Sequence, residues 1–123
     1  MLKSRNFREY KAWQDAVCLA TEVYKLTSSL PWFEKKGLCD QLQRAVVSIS
    51  CNIAEGAGRH TDAEFSRFLN IALGSANEVE TQLLIAKNLS YINQQDFERL
   101  TFDLTSIQKQ LAGLIRTIRK EER

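Results

Sequence analysis

Phe97-Glu98-Arg99-Leu100-Thr101-Phe102-Asp103-Leu104-Thr105-Ser106-Ile107-Gln108-Lys109-Gln110-Leu111-Ala112-Gly113-Leu114-Ile115-Arg116-Thr117-Ile118 is the stretch that decides the fold. Within it Phe97, Leu100, Leu104, Ile107, Leu111, Leu114 and Ile118 alternate at spacings of three and four without a break. That is a heptad seam, an apolar stripe along one side of a long α-helix. Asn93 is a good N-cap for it, and Asp96 suits its first turn.

Working back from that helix, three more emerge. Thr61-Asp62-Ala63-Glu64 has the form of a capping box, in which each end side chain satisfies an orphan backbone amide. After it Phe65, Phe68, Leu69, Ala72, Ala76, Val79, Leu83 and Ala86 form a stripe. Leu38, Leu42, Ala45, Val46, Ile49 and Ile53 make another, with Gly56 and Gly58 expected to stop that helix as left-handed caps. Trp13, Ala16, Val17, Ala20, Tyr24 and Thr27 recur at helical spacing in the first segment, and Pro31 ends it. The expectation is one all-α domain over residues 1–123, an antiparallel up-and-down four-helix bundle with helices near 8–28, 32–57, 61–89 and 94–120.

Composition agrees. With 123 residues, 44% of them hydrophobic and 26% charged, the chain can bury a core without disulfide or metal. One proline and five glycines are too few for an all-β chain. No apolar run approaches the ~20 residues of a membrane span, and the polar start Met1-Leu2-Lys3-Ser4-Arg5-Asn6 is unlike a signal peptide. A cytoplasmic protein that does not enter membranes is expected. Cys39 and Cys51 lie about 18 Å apart on one helix, too far for a disulfide. All three cysteines, Cys18 included, read as small buried hydrophobes in a reducing compartment.

A polar row on the second helix needs its own account. Gln41, Arg44, Ser48, Asn52 and Glu55 share a face, and Ser75, Glu78 and Gln82 offer matching chemistry on the third helix. The row mixes Arg, Asn, Gln and Ser where a solvated face would carry Lys and Glu. It reads as a buried hydrogen-bonded network, with Arg44 paired to Glu78 or Glu55, that fixes register. Read instead as an active cleft, it lacks a nucleophile–base pair, since the single histidine, His60, lies at the far end of the helix. No catalytic residue, cofactor or metal is expected, and His60 has no partner at ligand spacing. Beyond the row, Val47, Cys51 and Ala54 with Ile71, Ile85 and Leu89 exceed what one bundle core needs. Such a surplus marks an interaction surface, so a homo-oligomer is expected.

Gln41 to Gly56, reading QLQRAVVSISCNIAEG, closely resembles the signature of the bacterial four-helix-bundle proteins encoded in intervening sequences of 23S ribosomal RNA genes. Phe68-Leu69-Asn70-Ile71-Ala72-Leu73-Gly74-Ser75, continued by Glu78 and Leu83, is similar to their second signature. Phe7 with Trp13-Gln14-Asp15-Ala16 resembles their opening, although Tyr10 and Ala12 replace the more usual Leu and Val. The resemblance covers nearly the whole chain. It implies a homopentamer shaped like a barrel, with no established enzymatic activity. A related branch, the accessory variability determinant of diversity-generating retroelements, works beside a reverse transcriptase and binds nucleic acid.

Topology makes the net charge of +2 misleading. In an up-and-down bundle the N-terminus, the turn between helices two and three, and the C-terminus share one end. That end gathers Lys3, Arg5, Arg8, Lys11, Arg59, Arg67, Arg116, Arg119, Lys120 and Arg123, ten bases, against six acids. The remainder holds seven bases and nine acids. Read as functional, the basic end binds RNA or DNA phosphates; read as structural, it is a solvated end. A phosphate at Gly56-Ala57-Gly58-Arg59-His60 would meet Asp62 and Glu64, already in the first turn beyond it. Three hypotheses follow: a nucleic-acid-binding oligomer, an oligomeric adaptor for a protein such as a reverse transcriptase, and an enzyme working from Arg44, Glu55 and Glu78.

Overall fold

The computed structural model describes residues 5–122, apart from the side chain of Glu122. Its four α-helices are α1 (Lys11–Thr27), α2 (Leu38–Ala57), α3 (Asp62–Asn88) and α4 (Gln94–Glu122), and a single 3-10 turn precedes each of the first two. α2 packs between α1 and α3, and α4 closes the bundle against α3 and α1. Cross-links fix the directions. Gln110 reaches Asp15 at 2.9 Å and Arg99 reaches Glu22 at 3.1 Å, so α4 runs antiparallel to α1.

The heptad seam is buried as its spacing dictates, with Leu100, Leu104, Ile107 and Leu111 fully enclosed. Each such side chain contributes roughly 1.5–3 kcal/mol on leaving water. The α3 stripe from Phe65 to Ala86 is buried throughout. At its start Thr61 Oγ1 accepts from the Glu64 amide at 3.1 Å, and at the start of α4 Asn93 Oδ1 accepts from the Asp96 amide at 2.7 Å.

Several expectations are corrected. The face α1 turns to the core is rotated from the expected one. Ala16 and Thr27 are buried and Trp13 and Ala20 pack against the core as expected, but Ala12, Leu19 and Val23 complete the buried face while Val17 and Tyr24 stay 39% and 47% exposed. It begins at Lys11 rather than near residue 8, because Phe7–Glu9 forms a 3-10 turn and Tyr10 is extended. α2 begins at Leu38 rather than near 32. Trp32–Glu34 is a 3-10 turn, Gly37 departs from helical geometry, and Glu34 Oε1 caps the Leu38 amide at 3.1 Å. The other Glu34 oxygen accepts from the Tyr91 hydroxyl at 3.0 Å, tying this link to the α3–α4 turn.

Neither Gly56 nor Gly58 is a left-handed cap. Among the described residues the positive φ belongs to Ser90, at 63°. Gly56 is helical and buried, and its missing side chain lets α3 approach. Of the cysteines only Cys39 is buried; Cys18 and Cys51 are exposed.

Candidate nucleic-acid interface

The end at which α1 begins and α4 finishes is built by contacts among all four helices. Tyr10 meets Phe65 at a tilt of 50°, with ring centroids 5.8 Å apart. Arg5 spans the gap from the N-terminal segment to α3: its guanidinium pairs with Asp62, bonds the Arg59 carbonyl at 3.3 Å and lies 4.7 Å from the Phe65 centroid. With its side chain only 7% exposed, Arg5 holds the end together and offers no phosphate contact.

Most other bases expected to bind are also engaged. Arg59 pairs with Glu55 at 2.7 Å and lies over the Phe68 ring, which Arg67 also covers. Arg8 lies 4.4 Å from the centroid of Phe7, and Lys11 is bonded to Asp15 at 2.6 Å. Cation–π contact leaves a guanidinium's edge open, so Arg8, Arg59 and Arg67 keep partial capacity for an anion. Lys3 lies outside the described residues.

Arg116, Arg119 and Lys120 differ. They stand exposed on the final turns of α4, and no acid among the described residues pairs with them. Arg119 and Lys120 lie three and four residues after Arg116, so both neighbour it on one side of the helix.

The polar row of α2 is split rather than continuous. At its centre Ser48 and Ser75 share a 2.8 Å hydrogen bond between α2 and α3, and Asn52 donates to Ser48 Oγ at 2.9 Å. Arg44 does not reach Glu78 or Glu55. It is held by Asp40, four residues earlier, with both carboxylate oxygens 3.1 Å from Nε and the arginine side chain 80% exposed. Glu55 is turned to Arg59. Gln82 is buried and donates weakly to Glu78 at 3.4 Å, while its carbonyl oxygen has no partner. Gln41 is exposed at the other end of the row.

The charged members therefore do not converge. The groove beside Arg44 is lined by Tyr24, Asp40, Gln43, Val47 and Ser48, and neither Glu55 nor Glu78 reaches it. What the row supplies is one interhelical polar contact.

Val47 and Ala54 are half-buried and Cys51 exposed on α2, while Ile71 and Ile85 on α3 are 41% and 44% exposed. No helix is long and apolar enough to cross a membrane among the described residues.

A family model for the 23S rRNA-intervening sequence protein matches residues 8–113, which take in the QLQRAVVSISCNIAEG row and the Ser48–Ser75 contact. The chain belongs to the 23S rRNA-intervening sequence protein family. A solved structure supports this: a protein of unknown function from the S23 ribosomal protein family of Bacteroides thetaiotaomicron VPI-5482. It is 30% identical to this intervening-sequence protein, with a TM-score of 0.79, and the alignment covers 85% of this chain and 95% of that one. No curated protein matches the sequence significantly.

Trp32 and Phe33 were missed by periodicity reasoning. They are 87% and 61% exposed in the link between α1 and α2. The expected second helix began at Trp32 and took both in; the available signal was that two aromatics directly follow Pro31, ahead of the apolar stripe that starts at Leu38.

Proposed function

We propose that this intervening-sequence protein is a non-enzymatic, cytoplasmic homo-oligomer that binds RNA or DNA through the basic end of its bundle. Arg116, Arg119 and Lys120 carry the reading, because they are exposed and unpaired where the other bases are spent on rings and carboxylates. Contacts of such side chains to backbone phosphates supply most non-specific affinity and make it fall with salt. Oligomer formation multiplies the charge on one rim, and the apolar side chains of Val47, Cys51, Ala54, Ile71 and Ile85 supply a contact surface. A pentamer is the expected number from family likeness.

The test is a mobility-shift titration of a duplex probe at ~50 mM salt, with the Arg116→Glu, Arg119→Glu, Lys120→Glu triple variant beside the natural chain. Salt-sensitive binding lost in the triple supports the reading, and no binding by the natural chain sinks it. A light-scattering mass of 14.1 kDa would overturn the oligomer. A protein partner such as a reverse transcriptase is the second reading, favoured by Phe102, which is 77% exposed on α4. Co-purification of a defined protein that survives nuclease would support it.

A further inference from the structure

At the end of the bundle opposite Arg116, the link between α1 and α2 carries aromatic rings that the fold does not use. Trp32 is 87% exposed and Phe33 61%, and they meet edge to face with centroids 6.0 Å apart. An edge-to-face pair leaves ring faces open to a third planar group. Trp32 forms the wall of a groove of about 690 Å³ that also takes in Tyr24, itself 47% exposed.

The charge in that groove is one-sided once internal pairs are removed. Asp40 lines it but is answered by Arg44 at 3.1 Å. Glu34 does not line the groove; its carboxylate accepts from the Leu38 amide and the Tyr91 hydroxyl and keeps its charge behind the wall, so the lining itself carries the excess of cations. Lys35 and Lys36 line the groove, are exposed, and have no ion pair among the described residues. Gln43 donates one Nε2 hydrogen to Thr27 Oγ1 at 2.9 Å, which leaves its second N–H and its carbonyl oxygen for a ligand.

We infer that this groove binds single-stranded nucleic acid, with bases stacked on Trp32 and Tyr24 and phosphates met by Lys35 and Lys36. Open aromatic faces interleaved with unpaired cations are the two components of a sequence-tolerant single-strand site. An apolar protein surface would bury both ammonium groups without answering them, at a desolvation cost. A sugar–phosphate backbone answers both. Duplex bases are stacked on each other and cannot use the rings, so the site discriminates by strandedness. The inference is independent of the basic end, which lies about 40 Å away along α4 at 1.5 Å per residue.

The experiment uses the full chain with Trp13→Phe, so that Trp32 is the single tryptophan. A single-stranded oligothymidine of fifteen or so nucleotides (~15) is titrated at ~50 mM salt while Trp32 emission is followed. Saturable quenching is expected, absent with a duplex of the same length and with anionic phospholipid vesicles. In the Trp13→Phe, Trp32→Tyr background, affinity measured by anisotropy of a labelled oligonucleotide should be largely kept. In Trp32→Ala it should fall about tenfold, the loss of one stacked base. Lys35→Glu with Lys36→Glu should weaken binding and flatten its salt dependence. The Arg116, Arg119, Lys120 triple should leave the Trp32 quenching in place, which separates this site from the basic end. Absence of quenching, equal quenching by duplex, or quenching by vesicles instead would each overturn the inference.

Discussion

Gly56 and Phe68 meet where α2 crosses α3, so closely that a Cβ on Gly56 would lie 2.6 Å from the Phe68 Cβ and 3.0 Å from the Phe65 ring. Neither obstacle is the free end of a flexible chain, so a methyl group there must push the helices apart. Overpacking of this kind costs about 1–3 kcal/mol, against at most ~1 kcal/mol gained in helix propensity. Gly56→Ala is expected to destabilise by about 2 kcal/mol in urea denaturation. Gly58→Ala is the control: its nearest atom is Glu55 O at 3.5 Å, an ordinary contact, and its midpoint should scarcely move.

Ser90 ends α3 in the left-handed region, with φ of 63°. Its amide bonds Lys87 O, and the Tyr91 amide bonds Ala86 O, both at 2.9 Å, which satisfies carbonyls the helix would leave open. Glycine adopts that backbone without the Cβ clash that serine bears. Ser90→Gly is expected to raise stability by about 0.5–1 kcal/mol at unchanged denaturant slope. A lowered midpoint would show that the turn is held by the serine side chain instead.

These two positions show where sequence reasoning reaches its limit. The seam of α4 and the stripe of α3 were legible because each has one apolar face and so one solution. α1 was not, since Ala12, Trp13, Ala16, Val17, Leu19, Ala20, Val23 and Tyr24 surround much of the helix. Periodicity then admits several faces, and only packing against α2 and α4 selects the one with Leu19 and Val23. Gly56 read as a stop signal because a close helix crossing leaves no mark in a single chain. The row on α2 was visible as a row, yet its pairing was not. Asp40 sits one turn from Arg44, and a local partner four residues away outcompetes distant ones. Likewise a count of bases cannot show which of them lie on the chain's own phenylalanines, as Arg5, Arg8, Arg59 and Arg67 do.

That last distinction separates stability from binding. Arg5 is buried against Asp62, the Arg59 carbonyl and Phe65, so Arg5→Ala removes an ion pair, a hydrogen bond and a ring contact together. A loss of about 2 kcal/mol is expected, below the 3–5 kcal/mol of a fully buried pair because Asp62 is 34% exposed. Arg116→Ala should leave the melting temperature within a degree or so (about 1 °C) and reduce the salt slope of nucleic-acid binding by about one. If Arg5→Ala were neutral in melting but weakened binding, the division between structural and ligand-facing bases would be wrong.

Asp15 gives the bundle a pH dependence whose sign can be worked out. Partial burial pushes its carboxyl pKa up, but hydrogen bonds from Lys11 and Gln110, with the Lys11 charge, more than offset this and hold it below the ordinary value of 3.8. A carboxyl whose folded pKa is depressed stabilises the fold above its unfolded pKa, and that contribution is lost as pH falls through the folded value. The side chain also bridges α1 to α4 through Gln110 at 2.9 Å, so the charge acts between helices. Asp15→Asn keeps the shape and an acceptor for Gln110 while removing the charge. Because the Lys11 side chain is 72% exposed and screened, its pairing contributes only about 0.5 kcal/mol. Denaturation at pH 7 should therefore show Asp15→Asn slightly less stable than the natural chain. The gap should close as pH falls below 3.8 and through the depressed folded value, where the natural carboxyl takes up its proton. A gap that persisted unchanged at about pH 2 would mean that side-chain shape, not charge, joins α1 to α4 at this point.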